Sequence, residues 1–309
     1  MKTIGIIINP RARSVKKSRV NMADLFEREG GDLVDVRKTG TLDELEQACM
    51  DFKRNRYSYI GISGGDGTIH QVITRLINVY LPGSVPPVVL LGGGTMNNIV
   101  RDLDLRGTPQ AVLSKLVAAL KQGSAVATAT RDTIKIDNCF GFIFGIGVVT
   151  NILNAAYDCA DPGPLRNLVV IATALRDGIF NREDSKLFTR IQARVHVDDD
   201  EIPFADLLGV IAGTVEHKGM GFHLLPRANE KRGTFQVLIS GLKPRELARQ
   251  VLRAKKGIPL KGALNYNNIG NRVRIFAEND ISYTIDGDLY NGSRELIIET
   301  GPEITFVEI

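Results

Sequence analysis

The sequence predicts an α/β half followed by an antiparallel β half. Three observations carry that reading. Short apolar runs alternate with capped helical patterns up to about residue 125, and the dominant apolar period becomes two after about residue 130. Glycine is abundant, at 31 of 309 residues against 12 prolines, and follows no tripeptide period.

In the first half, Ile4–Ile8, Tyr59–Ser63 and Val88–Leu91 are apolar runs bounded by turn residues, the pattern of buried strands. Thr41-Leu42-Asp43-Glu44 forms a capping box, in which the threonine accepts from a backbone N–H three residues on and the glutamate reaches back. Behind it, Leu42, Leu45, Cys49 and Phe52 fall on one helical face. A helix opens after Gly64–Thr68, with Ile69, Val72, Ile73, Leu76 and Ile77 on its apolar side. Another opens at Thr108-Pro109 and closes near Gly123, with proline at the start and glycine at the end. Strand–helix alternation of this kind implies a mostly parallel sheet with helices on both faces.

Beyond residue 130, Ile191, Ala193, Val195 and Val197 alternate with Arg190, Gln192, Arg194 and His196. Phe235, Val237 and Ile239 repeat the pattern, as do Val273, Ile275 and Ala277, then Ile281, Tyr283 and Ile285. Half-buried strands separated by turns predict an antiparallel sandwich or barrel. Helical segments over roughly Asn151–Asp158 with Pro164–Phe180, and over Pro244–Lys256, interrupt it.

Composition narrows the function. Charged residues make up 24% and apolar ones 43%, with a net charge of +4, which excludes a disordered or fibrous chain and suits anionic partners. Three cysteines, Cys49, Cys139 and Cys159, stand far apart and exclude a disulfide framework or a CxxC zinc site. A reducing cytoplasm is the expected location. No apolar run approaches the ~20 residues of a membrane span, and Ile4–Ile8 is too short for a signal-peptide core.

Two glycine turns carry the chemistry. Gly64-Gly65-Asp66-Gly67-Thr68 lies between a strand and a helix, where converging backbone N–H groups and the helix dipole favour phosphate. Asp66 puts a carboxylate where the phosphate would sit, so a divalent cation has to join the two; the motif predicts nucleotide phosphates with magnesium. The competing reading is a tight turn with a capping aspartate. Gly92-Gly93-Gly94-Thr95-Met96-Asn97-Asn98 follows the next strand, and two such turns would meet at the carboxyl ends of the sheet. The GxxxxGK[ST] phosphate loop and the HRD and DFG motifs of protein kinases are absent.

Near the end, Ile285-Asp286-Gly287-Asp288 closes a strand pattern. If the strand continues, Asp286 and Asp288 share a face and together make a proton acceptor or a cation site. An Asp-Gly hairpin turn is the alternative. Asp132 reads equally as a turn acid. His70 adjoins the first glycine turn as a ligand contact or a structural group, while His196, His217 and His223 read as surface or hydrogen-bonded residues.

Asn9-Pro10 after the first strand, the Gly-Gly-Asp-Gly-Thr turn, the Gly-Thr-Met-Asn turn and the late Asp-Gly-Asp occur in order along essentially the whole chain. In this the sequence resembles the diacylglycerol kinase catalytic domain family, the bacterial lipid kinases related to sphingosine and ceramide kinases. The first glycine motif is shared with NAD kinases. The resemblance implies a Rossmann-like α/β nucleotide-binding domain over 1–125, rejoined by about 291–309, and a β-sandwich lipid-substrate domain over 126–290. It implies a site in the cleft between them. ATP would be contacted by Asn9, Thr39, Gly64, Gly65, Asp66, Gly67, Thr68, Gly94, Thr95 and Asn97. Asp66 would organise Mg2+ and its waters, with Asp132 as a helper, and Asp286 or Asp288 would serve the acceptor hydroxyl.

Three departures stand out. Asn98 replaces an acid common in the family. Arg232 and Gln236 stand where acids of a structural magnesium site often lie, and Lys231 and Arg232 would repel a cation there. The shared glycine turns make an NAD kinase-like enzyme one alternative to a lipid kinase, and Asn98, Lys231 and Arg232 make a non-catalytic nucleotide- or lipid-binding relative the other. The implied partners are ATP and a lipid at the inner face of a membrane, without nucleic acid, and a homodimer through a strand edge stays open. Seven basic residues and one acid, Glu246, between Lys243 and Lys261 suit an anionic surface or a plain solvated helix. Leu168 to Leu175 line an acyl cleft or pack a core.

Overall fold

The computed structural model describes residues 2–12, 15, 20–92, 98–105, 107–157, 173–174, 176–180, 185–216 and 222–309. The chain forms two units, an N-terminal α/β unit and a C-terminal antiparallel one. The first comprises Met1–Thr133, Asn138–Phe140 and Pro302–Ile309; the second comprises Ile134–Asp137 and Gly141–Gly301.

In the first unit, β1 (Ile4–Ile8) runs parallel to β2 (Val34–Lys38) on one side and β3 (Tyr59–Ser63) on the other. β3 pairs in parallel with β4 (Val88–Leu90), and Phe306 near the end of the last strand runs parallel to Val88. Every residue of β1 is buried, as its unbroken apolar run demands of a central strand covered on both faces. α1 (Met22–Gly30) and α5 (Pro109–Gln122) supply Phe26, Leu113, Leu116 and Val117 to a cluster with Ile4, Ile6 and Ile8. Between them in sequence, α2 (Leu42–Arg54) and α3 (Asp66–Tyr80) pack on each other. Phe52 of α2 is fully buried, and a Cβ on Gly5 of β1 would stand 2.7 Å from its ring. That ring can reach the sheet only over a glycine.

Caps bound the helices where the sequence places them. The Thr41 hydroxyl accepts from Glu44 N at 3.2 Å, and Glu44 Oε2 accepts from Thr41 N at 3.2 Å. Thr108 caps α5, which ends on Gly123 in the left-handed region at φ 64°. One expectation fails locally. Leu42 is 49% exposed, because the apolar face of α2 begins a turn later at Leu45. β2 was not anticipated, since its Val34 and Val36 alternate with Asp35 and Arg37 over only five residues.

In the second unit, six strands form an antiparallel sheet in the order β13 (Asn265–Gly270), β12 (Phe235–Ser240), β11 (Gly209–Gly213), β7 (Ile143–Gly147), β15 (Ser282–Ile285) and β16 (Asp288–Asn291). A second antiparallel set joins β10 (Asp206–Leu207), β8 (Ile191–Val197), β14 (Arg272–Ala277) and the start of β17 (Glu295–Val307). Ala193, Val195 and Val197 face inward on β8, as the period of two predicts.

α6 (Val148–Tyr157) follows β7. The helix predicted over Pro244–Lys256 is broken into α7 (Pro244–Arg249) and α8 (Val251–Lys255). At the break, the Gln250 side chain donates to Lys261 O at 2.9 Å and accepts from Lys261 N at 2.6 Å. Much of the segment predicted helical over Pro164–Phe180 lies outside the described residues. Among the described residues no helix is long and apolar enough to cross a membrane.

Candidate active site

Those of the predicted nucleotide residues that are described gather at the carboxyl ends of the parallel strands of the first unit. Asn9 follows β1, Thr39 follows β2 and Gly64 follows β3. The ladder runs one residue past β1 and β2, with Asn9 N donating to Ser63 O at 3.2 Å and Thr39 N to Ile8 O at 2.9 Å. The Asn9 side chain then spans the turn. Its Nδ2 donates to Thr68 Oγ1 at 3.0 Å, and its Oδ1 accepts from Arg11 N at 2.9 Å. Asn9 and Thr68, fifty-nine residues apart, are thereby locked together.

The glycines at this turn differ in what they permit. A Cβ on Gly64 would fall 2.4 Å from the Thr68 side chain, whereas one on Gly65 would meet nothing within 4 Å. Gly64 is a packing glycine; Gly65 leaves open space before the fifteen-residue α3 and caps it without a side chain. Asp66 is the first residue of α3 and, with Gly65 and Gly67, is half-buried, while Thr68 is 8% exposed. Open space, an N-terminal helix dipole and a neighbouring acid suit a phosphate chain carried with a cation. Gly64→Ala should therefore push Thr68 out of register and weaken ATP binding about tenfold or more, roughly the 1–3 kcal/mol of an overpacked contact. Calorimetric titration with ATP is the check, and an unchanged affinity would remove Gly64 from the cradle.

His70 proves structural. It is fully buried on α3, and its Nδ1 lies 2.9 Å from Phe140 O, an acceptor that requires the proton on Nδ1. Thr74, one turn on, donates to the same carbonyl at 2.9 Å and accepts from Phe140 N at 3.0 Å.

Gly94, Thr95 and Asn97 lie outside the described residues. The helix beyond them, α4 (Asn98–Asp102), carries a pair that sequence reasoning missed. The Asp102 side chain is 1% exposed and accepts from Arg131 Nε at 2.7 Å. Arg131 belongs to β5 (Thr128–Ile136), whose next residue, half-buried Asp132, is the proposed magnesium helper. No local pattern links residues twenty-nine positions apart, so only the fold reveals this tie.

In the second unit the Asp-Gly-Asp segment is a hairpin. Ile285 pairs with Asp288, and Asp286 and Gly287 between them have φ of 50° and 95°. Two successive left-handed residues make the tight primed turn that Asp-Gly favours. The strand therefore does not continue, and the shared-face premise for Asp286 and Asp288 fails.

The two carboxylates consequently differ. Asp286 Oδ1 accepts from Phe142 N at 3.1 Å and Ile143 N at 2.9 Å, and Oδ2 accepts from Phe142 N at 3.1 Å. A Cβ on Gly141 would lie 2.5 Å from Oδ2, so glycine is required for this approach. The Tyr157 hydroxyl braces the turn by donating to Gly287 O at 3.0 Å. Asp288 opens β16 and is half-buried.

Gln236, at a position where the family often has an acid, is fully buried. Its Oε1 accepts from Arg227 N at 2.7 Å and its Nε2 donates to Asn267 Oδ1 at 2.7 Å. Protein groups thus satisfy both ends of the neutral amide. Among the described residues no three His, Cys, Asp or Glu side chains converge to hold a metal.

Residues 3–129 match the family described as the diacylglycerol kinase catalytic domain. A Streptococcus pneumoniae protein described as "Putative lipid kinase" is 26% identical over 152 residues, which is 48% of this chain and 47% of the relative. The match thus spans about half the length of that relative. A solved diacylglycerol kinase from Bacillus anthracis superposes with a TM-score of 0.66 at 14% identity, covering 100% of this chain and 97% of its own. A second, described as a putative diacylglycerol kinase from the same organism, gives 0.70 at 16% identity, covering 100% and 95%. At those identities the likeness is one of fold. Residues 3–129, which hold the Asn9–Thr68 lock and the glycine turn, match the diacylglycerol kinase catalytic domain family, and the fold of the chain is that of bacterial diacylglycerol kinase-like structures.

Proposed function

We propose that the chain is a lipid kinase that moves the γ-phosphoryl group of ATP to the hydroxyl of a diacylglycerol-like lipid. The observation that carries this reading is the glycine turn Gly64–Thr68, locked by Asn9, at the head of α3 within a segment of that family. Backbone N–H groups of the turn point to phosphate oxygens, and Asn9, Thr39 and Thr68 supply polar side chains around them, joined through the motif match by Gly94, Thr95 and Asn97. One carboxylate beside open space is a donor set that fits Mg2+, an ion held by one or two acids with phosphate and water completing its shell. Bound there, magnesium would neutralise charge on the polyphosphate. Asp66 holds its place at the head of the helix, with Asp132 in support.

On the acceptor side, Asp288 takes the proton of the lipid hydroxyl, a contribution of about 10²–10⁴-fold. Asp286 positions the turn instead, because both of its oxygens already accept backbone N–H groups. Phosphoryl transfer asks for little more than such positioning and charge neutralisation. The work belongs at the cytoplasmic face of a membrane, where ATP and lipid meet.

Purified protein with γ-labelled ATP should label diacylglycerol or a related lipid in mixed micelles. Formation of NADP from NAD instead would replace this reading with an NAD kinase. ATP binding without turnover on any of a panel of lipids would make the chain a non-catalytic relative.

A further inference from the structure

The second unit exposes large apolar side chains beside a run of exposed cations. Phe180 is 71% exposed, Ile179 60% and Leu252 67%. Side chains that exposed project into solvent. Ile179 and Phe180 follow Gly178, which packs on α7: a Cβ there would lie 3.0 Å from both Ala248 Cβ and Pro244 O, and Leu252 comes one helical turn after Ala248 in sequence. The helical turn ending in Ile179 and Phe180 is closed by Phe180 N donating to Arg176 O at 3.0 Å.

α7 and α8 carry the charge. Arg245, Arg249, Lys255 and Lys256 are exposed, and among the described residues none of them has a carboxylate within ion-pair distance, though Lys255 Nζ stands 5.9 Å from the centre of the Phe222 ring. The acid in their midst, Glu246, is occupied in accepting from Lys243 N at 2.8 Å. Arg253 is also spent within the fold, donating to Pro259 O at 2.8 Å. The break at Gln250, tied to Lys261, turns α8 and Leu252 relative to α7.

We infer that this surface, Ile179 and Phe180 with α7 and α8, docks the chain on an anionic bilayer. A solvated helix face accounts for the arginines but not for a phenylalanine and a leucine held in water among them. An acidic protein would satisfy the charge; a bilayer offers both anionic headgroups and an apolar layer to receive protruding side chains. The inference rests on the lipid-kinase reading for its purpose, while its test needs neither ATP nor turnover.

The full chain is sedimented with vesicles of phosphatidylcholine alone and of equimolar phosphatidylcholine and phosphatidylglycerol. Binding should require the anionic lipid and weaken with salt. Arg245→Gln, Arg249→Gln and Lys255→Gln should each lower vesicle affinity about fivefold, the equivalent of one basic residue near a charged surface. Lys115→Gln and Lys121→Gln, exposed lysines of α5, should leave it unchanged. Phe180→Ser with Leu252→Ser should weaken the binding that survives at high salt. All these positions are exposed or half-buried at the surface, and unchanged thermal melting confirms the fold. Equal affinity for both vesicle types, or for the wild type and the patch variants, overturns the surface. Loss of lipid phosphorylation with docking intact would count against the kinase reading alone.

Discussion

Asp66→Ala should abolish lipid phosphorylation while leaving the protein folded. Asp66 begins α3 at the glycine turn, half-buried, where the interaction of an acid with the helix dipole is worth about 0.3–1 kcal/mol. Its catalytic share is larger. Without a carboxylate to hold a cation, the charge of the transferring phosphoryl group goes unbalanced, a loss of several kcal/mol and so about 10³-fold or more in kcat. Asp66→Asn separates charge from shape, because it preserves the helix start yet should be just as inactive. The two forms should also differ in binding. With a chelator present, the native carboxylate repels ATP, so Asp66→Asn should bind metal-free ATP more tightly than the native chain does. With magnesium the order should reverse. Labelled-ATP transfer and calorimetry read these outcomes, and full activity in Asp66→Ala would remove the residue from the mechanism.

What the sequence made legible was local. The Thr41 box, the Thr108-Pro109 start and the Gly123 stop each depend on contacts within one turn, so residue types four or fewer positions apart encode them. Gly64–Thr68 was legible for the same reason: a strand end, a run of glycines and an apolar helix face follow one another directly. The parts that escaped depend on distant partners. His70 is structural because Phe140 O, seventy residues away, meets its ring. Asp102 finds Arg131 only once β5 lies beside α4. Gln250 breaks a helix of good helix formers because Lys261 offers its backbone, a contact that propensity alone does not register. At Asp286 the sequence left two readings open, a continuing strand and an Asp-Gly hairpin, and the anchor that decides for the hairpin lies far away in sequence, at Phe142 and Ile143.

That anchor sets up an experiment in which the neighbouring acids Asp286 and Asp288 should fail in opposite ways. Asp286→Ala deprives two buried backbone donors, Phe142 N and Ile143 N, of their acceptor. It also puts alanine at φ 50°, a conformation that aspartate tolerates better. Together these should cost about 2–4 kcal/mol, visible as a lower melting temperature and denaturant midpoint. Asp286→Asn keeps an acceptor oxygen and a residue at ease in the left-handed region, so most of the stability and a measurable kcat should return. Asp288→Asn should do the reverse. Asp288 lies at the head of β16, outside the Asp286 anchor, and its amide variant keeps the shape and an acceptor oxygen, so it should melt close to the native chain. With no carboxylate to accept the hydroxyl proton, kcat should fall about 10²–10⁴-fold while KM for the lipid changes little. An Asp286→Asn protein that is stable but inactive, beside an active Asp288→Asn, would transfer the base to Asp286. It would mean that a carboxylate already bound by three backbone hydrogen bonds still takes up the proton.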